Sequence, residues 1–456
     1  LSVCTAGDLN SICYVGLKRG VELVTVINAT HLIILGNGSL QSAYPHNASL
    51  TLNLTGNLTV ADGGLLGDNV TLSINAANIT INGRLLTTAT GNSGSSNLAI
   101  NAANINLNGS GSINANRGGN ITINATSTFN VTGNITAGAA VGNYPQGSQN
   151  GGNITIYASV LNVVGNITSN GVSVSLYGYT HGAGGVISAY AANFTGNGTI
   201  LANGGLVIVS NFQYVGHGGN ITINATIINY AGTLQANASD LPVAYDGWEG
   251  NGGKIIVNAT AINLTGNISA AGGANGGNVT IASTGSLNIS NSLFNTTRGV
   301  GSASVTHGNV TLQWGSSLDE FNAVFAPEGV AFHVFNNSFG ALRFLQRTNF
   351  TQLHDAGSQF ILLNNSLWVN RSNHSAFNAA VNVSLRSFNW PGSPKLTLDG
   401  VECIASNCTR ISYDDATGTL LFNASTTGNF TVDAGNLTGC ANITLAGSYL
   451  LSANTS

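Results

Sequence analysis

An asparagine stands two places before a serine or threonine, with a residue other than proline between them, 38 times in this chain. That triplet is the acceptor signature of N-linked glycosylation, in which the asparagine side-chain nitrogen takes the sugar in a secreted chain. Chance accounts for a minority. The chain holds 63 Asn, and 87 of its 456 residues are Ser or Thr, so random placement gives about 12 such triplets. Candidate acceptors in the first half are Asn28, Asn37, Asn47, Asn57, Asn69, Asn108, Asn124, Asn134, Asn166, Asn197 and Asn224. The second half adds Asn237, Asn258, Asn267, Asn295, Asn309, Asn336, Asn349, Asn370, Asn382, Asn407, Asn423 and Asn436. Sugar, rather than charge, is the expected hydrophilic coat, because only 6% of the chain is charged.

The elements that carry these asparagines repeat. Gly-Gly pairs at Gly118, Gly151, Gly184, Gly218, Gly252 and Gly276 open copies of one phrase, mostly about 33 residues apart, a period typical of solenoids. GGNITINATSTFNVTGNITAG from Gly118 and GGNITINATIINYAGTLQANAS from Gly218 are two copies. Within a copy Ile121, Ile123 and Ala125 share one parity and Asn120, Thr122, Asn124 and Thr126 the other, the period of a strand with one buried and one wet face. Three such strands per copy, broken by Gly and Asn at corners expected to need positive φ, predict an all-β parallel β-helix over 46–316. Alternation alone also fits an array of β-sandwiches. The inserts 139–150 and 239–250 lengthen the period and should stand out as loops.

The pattern Gly-Gly-x-Ile-x-Ile-x-Ala, a second strand, then Gly-x-Ile-x-Ala-x-Gly resembles the rungs of filamentous-haemagglutinin-type adhesins and related surface β-helices. The resemblance implies a long extracellular rod and carries no catalytic motif.

Composition and cysteine usage agree with secretion. The chain contains no Met and begins at Leu1, as expected of a processed chain whose secretory signal has been removed. A net charge of −4 with no basic cluster excludes nucleic acid as the expected partner. The long uncharged stretches are rich in Asn, Thr and Gly and alternate with period two, so no membrane insertion is expected. The five cysteines predict disulfides Cys4–Cys13 and Cys403–Cys408, with Cys440 left free or bonded between subunits.

The two ends have their own grammar. Residues 1–45 carry longer apolar runs and are expected to cap the β-helix. At 317 the pattern changes: SSLDEFNAVFAPEG has Ser317 three residues before Glu320, a capping-box spacing that predicts a short helix. The region 317–456 then gives short alternating strands with turns about every ten residues, which predicts an immunoglobulin-like β-sandwich. Such a sandwich resembles, by analogy, the small C-terminal sandwiches that occur in archaeal surface proteins.

Catalysis has little to work with. Between Asp68 and Asp240 there is no Asp, Glu or Lys, so most of the repeat cannot supply a general acid and base. Asp240, Asp246 and Glu249 beside Trp248 are the best acidic cluster, read mainly as a solvated loop; Asp414-Asp415 reads as a turn. His181 and His217 read as surface residues of insert loops, and no cofactor motif is present.

The sequence therefore reads as a structural subunit of a heavily glycosylated extracellular filament, a homopolymer assembled head to tail by strand addition. A cell-surface adhesin or surface-coat glycoprotein is the second reading and a polysaccharide-active β-helix enzyme the third. Intact mass spectrometry of the native protein should show a mass far above the 46.3 kDa of the polypeptide, collapsing towards it on deglycosylation. A native mass equal to the bare chain would contradict the glycoprotein reading.

Overall fold

A computed structural model describes residues 3–433 except 22–23, 43–47, 68–69, 88–96, 117, 139–149, 172–181, 210–211, 240–249, 274, 297–308, 316, 326–331, 346–359, 364–365, 372–376, 387–393, 404–406 and 415. The described residues form an all-β protein, and none of them lies in a helix long and apolar enough to cross a membrane.

Alternation sets which side of each strand is buried. In Ile121–Val131 the residues Ile121, Ile123 and Ala125 are inside while Thr122, Asn124 and Thr126 face out. The strands fall into three parallel ladders, visited in turn. The first runs from Val24–Ala29 through Ala48–Leu54 and Val70–Asn75 to the leading parts of Leu98–Leu107, Ile121–Val131, Asn153–Val163, Val186–Gly196 and Asn220–Tyr230. It continues through Lys254–Ala259, Asn278–Ser283 and Asn309–Gln313 to Phe332–Asn337. The second begins at Ile12–Val15 and His31–Ile34 and takes the trailing parts of the same long strands. The third begins at Lys18–Val21 and Ser39–Ser42 and includes Asn134–Thr136, Asn166–Thr168, Thr199–Leu201 and Thr233–Gln235.

Stacking in register places like residues above like. Ile121, Ile154, Ile187, Ile221 and Ile255 form one column in a continuous core, each at most 1% exposed. Along the first two ladders the long strands bend at a register shift, as between Ala125 and Thr128, where an extra residue turns the chain without ending the strand.

The Gly-Gly corners follow the sequence expectation only in part: among the described pairs Gly118 has positive φ, at 70°. The second glycine of each pair does not adopt positive φ. A Cβ on Gly253 would instead lie 1.9 Å from the Gly219 carbonyl oxygen, and one on Gly219 would lie 2.1 Å from that of Gly185. Close backbone approach between rungs, not left-handed geometry, demands glycine there.

Cys4 and Cys13 are bonded, with Cα atoms 5.1 Å apart, and Ala6–Gly7 pairs antiparallel with Ile12–Val15 over the start of the second ladder. Cys403 and Cys408 are bonded with Cα atoms 5.3 Å apart. Cys440 lies outside the described residues.

The short helix expected from Ser317 is absent: Ser317–Phe325 is a strand that pairs in parallel with Ser286–Asn295. The neighbouring edge offers partners for a whole run of backbone groups, which outweighs one local capping box. After Phe332–Asn337 the pairing turns antiparallel, through Gly340–Phe344 and Val381–Leu385 to Thr419–Ala424 and Cys408–Asp414. A second antiparallel sheet orders Phe360–Leu363, Ser366–Val369, Asn429–Asp433, Lys395–Leu398 and Val401–Glu402. Phe422 of the first sheet and Phe430 of the second meet with ring centroids 5.2 Å apart, and both are fully buried.

Gly219→Ala should force a corner apart and lower the thermal midpoint, with a cost of about 1–3 kcal/mol or more. Gly109→Ala, whose Cβ would meet nothing within 4 Å, should stay within about 0.5 kcal/mol of the parent. Equal midpoints for the two variants in calorimetry would contradict the stacking argument.

Candidate functional site

The functional chemistry available on this surface is that of its asparagine amides, and the ladders set their geometry. On the outer face of the first ladder, Asn53 Nδ2 donates to Asn28 Oδ1 (3.0 Å), Asn75 to Asn53 (2.9 Å) and Asn101 to Asn75 (2.9 Å). Further along, Asn258 donates to Asn224 (2.9 Å). The second ladder repeats this with Asn78 to Asn57 (3.0 Å) and Asn104 to Asn78 (2.8 Å), and the third with Asn166 to Asn134 (3.0 Å). In each of these bonds the nitrogen donates to the carbonyl oxygen of the preceding rung. Amide columns of this kind belong to parallel, in-register stacks.

The candidate acceptors fall into distinct settings. Asn28, Asn37, Asn57, Asn108, Asn124, Asn134, Asn166, Asn197, Asn267 and Asn407 are exposed. Asn224, Asn258, Asn295, Asn336, Asn370, Asn382 and Asn423 are half-buried, with Asn382 donating to Asn423 and Arg386 to Asn336. Asn237 is buried at 6% exposure, its Oδ1 accepting from Ser269 Oγ at 2.7 Å and the Ala271 backbone N–H at 2.8 Å. The side chain of Asn309, and Asn47, Asn69, Asn349 and Asn436 altogether, lie outside the described residues.

Where the long strands bend, the outer surface forms a shallow groove of about 660 Å³. Its floor includes Ala125, Ala158, Ala191 and Ala225, and its lip carries Asn124, Tyr157, Tyr190 and Asn224. The two tyrosine rings stack, with centroids 5.0 Å apart and planes 12° from parallel. Sequence reasoning missed this pair. Tyr157 and Tyr190 are 33 residues apart, and the repeat period was the available signal.

Ionisable groups do little here. Asp414 sits at a turn, accepting from Thr417 Oγ1 at 2.7 Å, and that bond holds its carboxyl below the usual range. Burial pushes the Tyr230 hydroxyl well above the ordinary phenol range, and it donates to the Gly198 carbonyl at 2.8 Å. His217 Nδ1 accepts from the Asn251 backbone N–H at 2.9 Å. His181, Asp240, Asp246, Trp248 and Glu249 lie outside the described residues. Among the described residues no three His, Cys, Asp or Glu side chains gather as a metal site.

The chain matches no protein-family model, no curated protein and no solved structure.

Burial gives a direct test of the acceptor geometry. Glycopeptide mapping of the folded protein should return Asn237 unmodified, because a sugar on its nitrogen has no room in that corner and would break the bonds its oxygen accepts. A glycan at Asn237 in soluble, folded protein would contradict the placement.

Proposed function

We propose that this chain is the structural subunit of a heavily N-glycosylated extracellular filament. In this reading the three ladders are the faces of a parallel β-helix, and the C-terminal sheets form an immunoglobulin-like sandwich. The subunits join head to tail, one chain's terminal segment adding a strand to the next chain's open end.

The observation that carries the proposal lies at the first rung. Val26 starts an outward column that continues as Thr51, Ser73, Ala99, Thr122, Thr155, Ser188 and Thr222. Val24 and Val26 are 77% and 55% exposed. Two β-branched apolar side chains thus stand in water at the end of a face that is otherwise mostly Ser and Thr. Among the described strands Val24–Ala29 is paired only with Ala48–Leu54, and a strand at the end of a ladder is a template for pairing with another chain. The alternation of NITLAGSYLL over 442–451 suits an added strand, whose backbone bonds and apolar contacts need no ion pairs. Surface ion pairs are sparse: the two among the described residues, Arg371–Asp399 and Lys395–Glu402, are both well exposed.

Val24→Asp with Val26→Asp, and separately deletion of 443–456, should leave folded monomers that no longer form filaments, read by sedimentation and electron microscopy. Native-looking filaments from both variants would contradict strand addition at this end. An intact chain that stays monomeric at high concentration would replace the filament with an adhesin.

A further inference from the structure

Resting on the glycoprotein reading, we infer that the stacked pair Tyr157–Tyr190 is a sugar-binding platform for the N-glycans carried by Asn124 and Asn224. Asn124, Tyr157, Tyr190 and Asn224 occupy successive rungs of one outward column. Each ring lies with one face against the other ring. On its other side along the column Tyr157 has Asn124 as its register neighbour, and Tyr190 has Asn224. Tyr157 and Tyr190 are 45% and 37% exposed. A large aromatic surface left open along a lip of amides and above a floor of alanines suits a ligand with one apolar C–H face and a hydroxylated edge. A neutral pyranose is such a ligand.

The amides give an independent sign. Five triplets of this column are acceptors: Asn28, Asn53, Asn124, Asn224 and Asn258. Asn53 and Asn258 each donate Nδ2 to the preceding rung. Asn124 is in register with Asn101 but the amide ladder stops there, and Asn224 accepts from Asn258 while its own nitrogen donates to no described residue. The two nitrogens beside the tyrosines are thus outside the ladder. Asn124 and Asn224 are also three rungs apart, about 14 Å at the usual strand spacing. Two glycans have room there, each against its own ring. Asn134 and Asn166 have no such room, being on adjacent rungs.

Attachment is an ordinary glycosyl transfer. The C1–O bond to the phosphate leaving group of an activated glycosyl donor breaks, C1 bonds to Asn Nδ2, and one amide proton is lost to the departing phosphate. The first sugar then sits beside the ring of the neighbouring rung, where C–H groups pack on the aromatic face.

The test uses the full chain secreted from an N-glycosylating host, with glycopeptide mapping and thermal midpoints. Asn124 and Asn224 should both be occupied. Thr126→Ala, which removes the acceptor triplet but keeps Asn124, should lower the midpoint by about 2–4 °C. Tyr157→Thr should do the same and Tyr157→Phe should not. Tyr157→Thr added to Thr126→Ala should lower it no further, and Tyr190 should couple in the same way to Thr226→Ala. Additive losses would overturn the inference. So would bare Asn124 and Asn224 on a chain glycosylated elsewhere, an outcome that leaves the glycoprotein reading intact. A chain bare at every triplet would overturn both.

Discussion

In-register parallel stacking is the constraint from which most of the molecule follows. When each rung lies over the previous one at about 4.8 Å, every residue meets its counterpart on the next rung. Whatever occupies a position must tolerate contact with a near copy of itself. Ile columns do so in the core, and Asn amides do so outside because a carboxamide is both donor and acceptor. Glycine does so at the corners, where the Gly185, Gly219 and Gly253 backbones come too close for any Cβ. Charged residues do not, since like charges on paired strands repel. The absence of Asp, Glu and Lys from 69–239 is therefore a structural consequence as well as an obstacle to catalysis.

A surface with so little charge has to stay hydrated by other means, and in the proposed reading the stacked asparagines are the anchor points for sugar. The same spacing restricts their use. Neighbouring acceptors such as Asn134 and Asn166 are one rung apart and already joined through their amides, so a sugar on one crowds the other. The glycan coat proposed here is thus set by the ladder that carries it, with buried Asn237 serving the corner and exposed Asn57 or Asn197 facing water.

Much of the architecture was legible because a stacked repeat writes its geometry into a linear period. The parity of Ile121, Ile123 and Ala125 identified the buried face, and the Gly-Gly spacing aligned Asn153, Val186, Asn220, Lys254 and Asn278, which the structure stacks in one column. The disulfide pairs followed from cysteines close in sequence. What escaped was decided by neighbours rather than by local signals. Ser317 and Glu320 have helix-capping spacing, yet an open strand edge claims them. Gly118 has the positive φ expected of a corner, but Gly185, Gly219 and Gly253 are required by a carbonyl of the preceding rung. Tyr157 and Tyr190 look unremarkable apart and acquire a role only when the fold stacks them.

The central claim is that the rungs stack along a glycosylated rod that polymerises along its own axis. Fibre diffraction or helical reconstruction of aligned native material tests this most directly, because the rung spacing has a direction. The account predicts a strong repeat near ~4.8 Å parallel to the filament axis, continuous across subunit boundaries, with glycan density outside it. A ~4.8 Å repeat perpendicular to the axis, or material that contains only dispersed monomers, would contradict it.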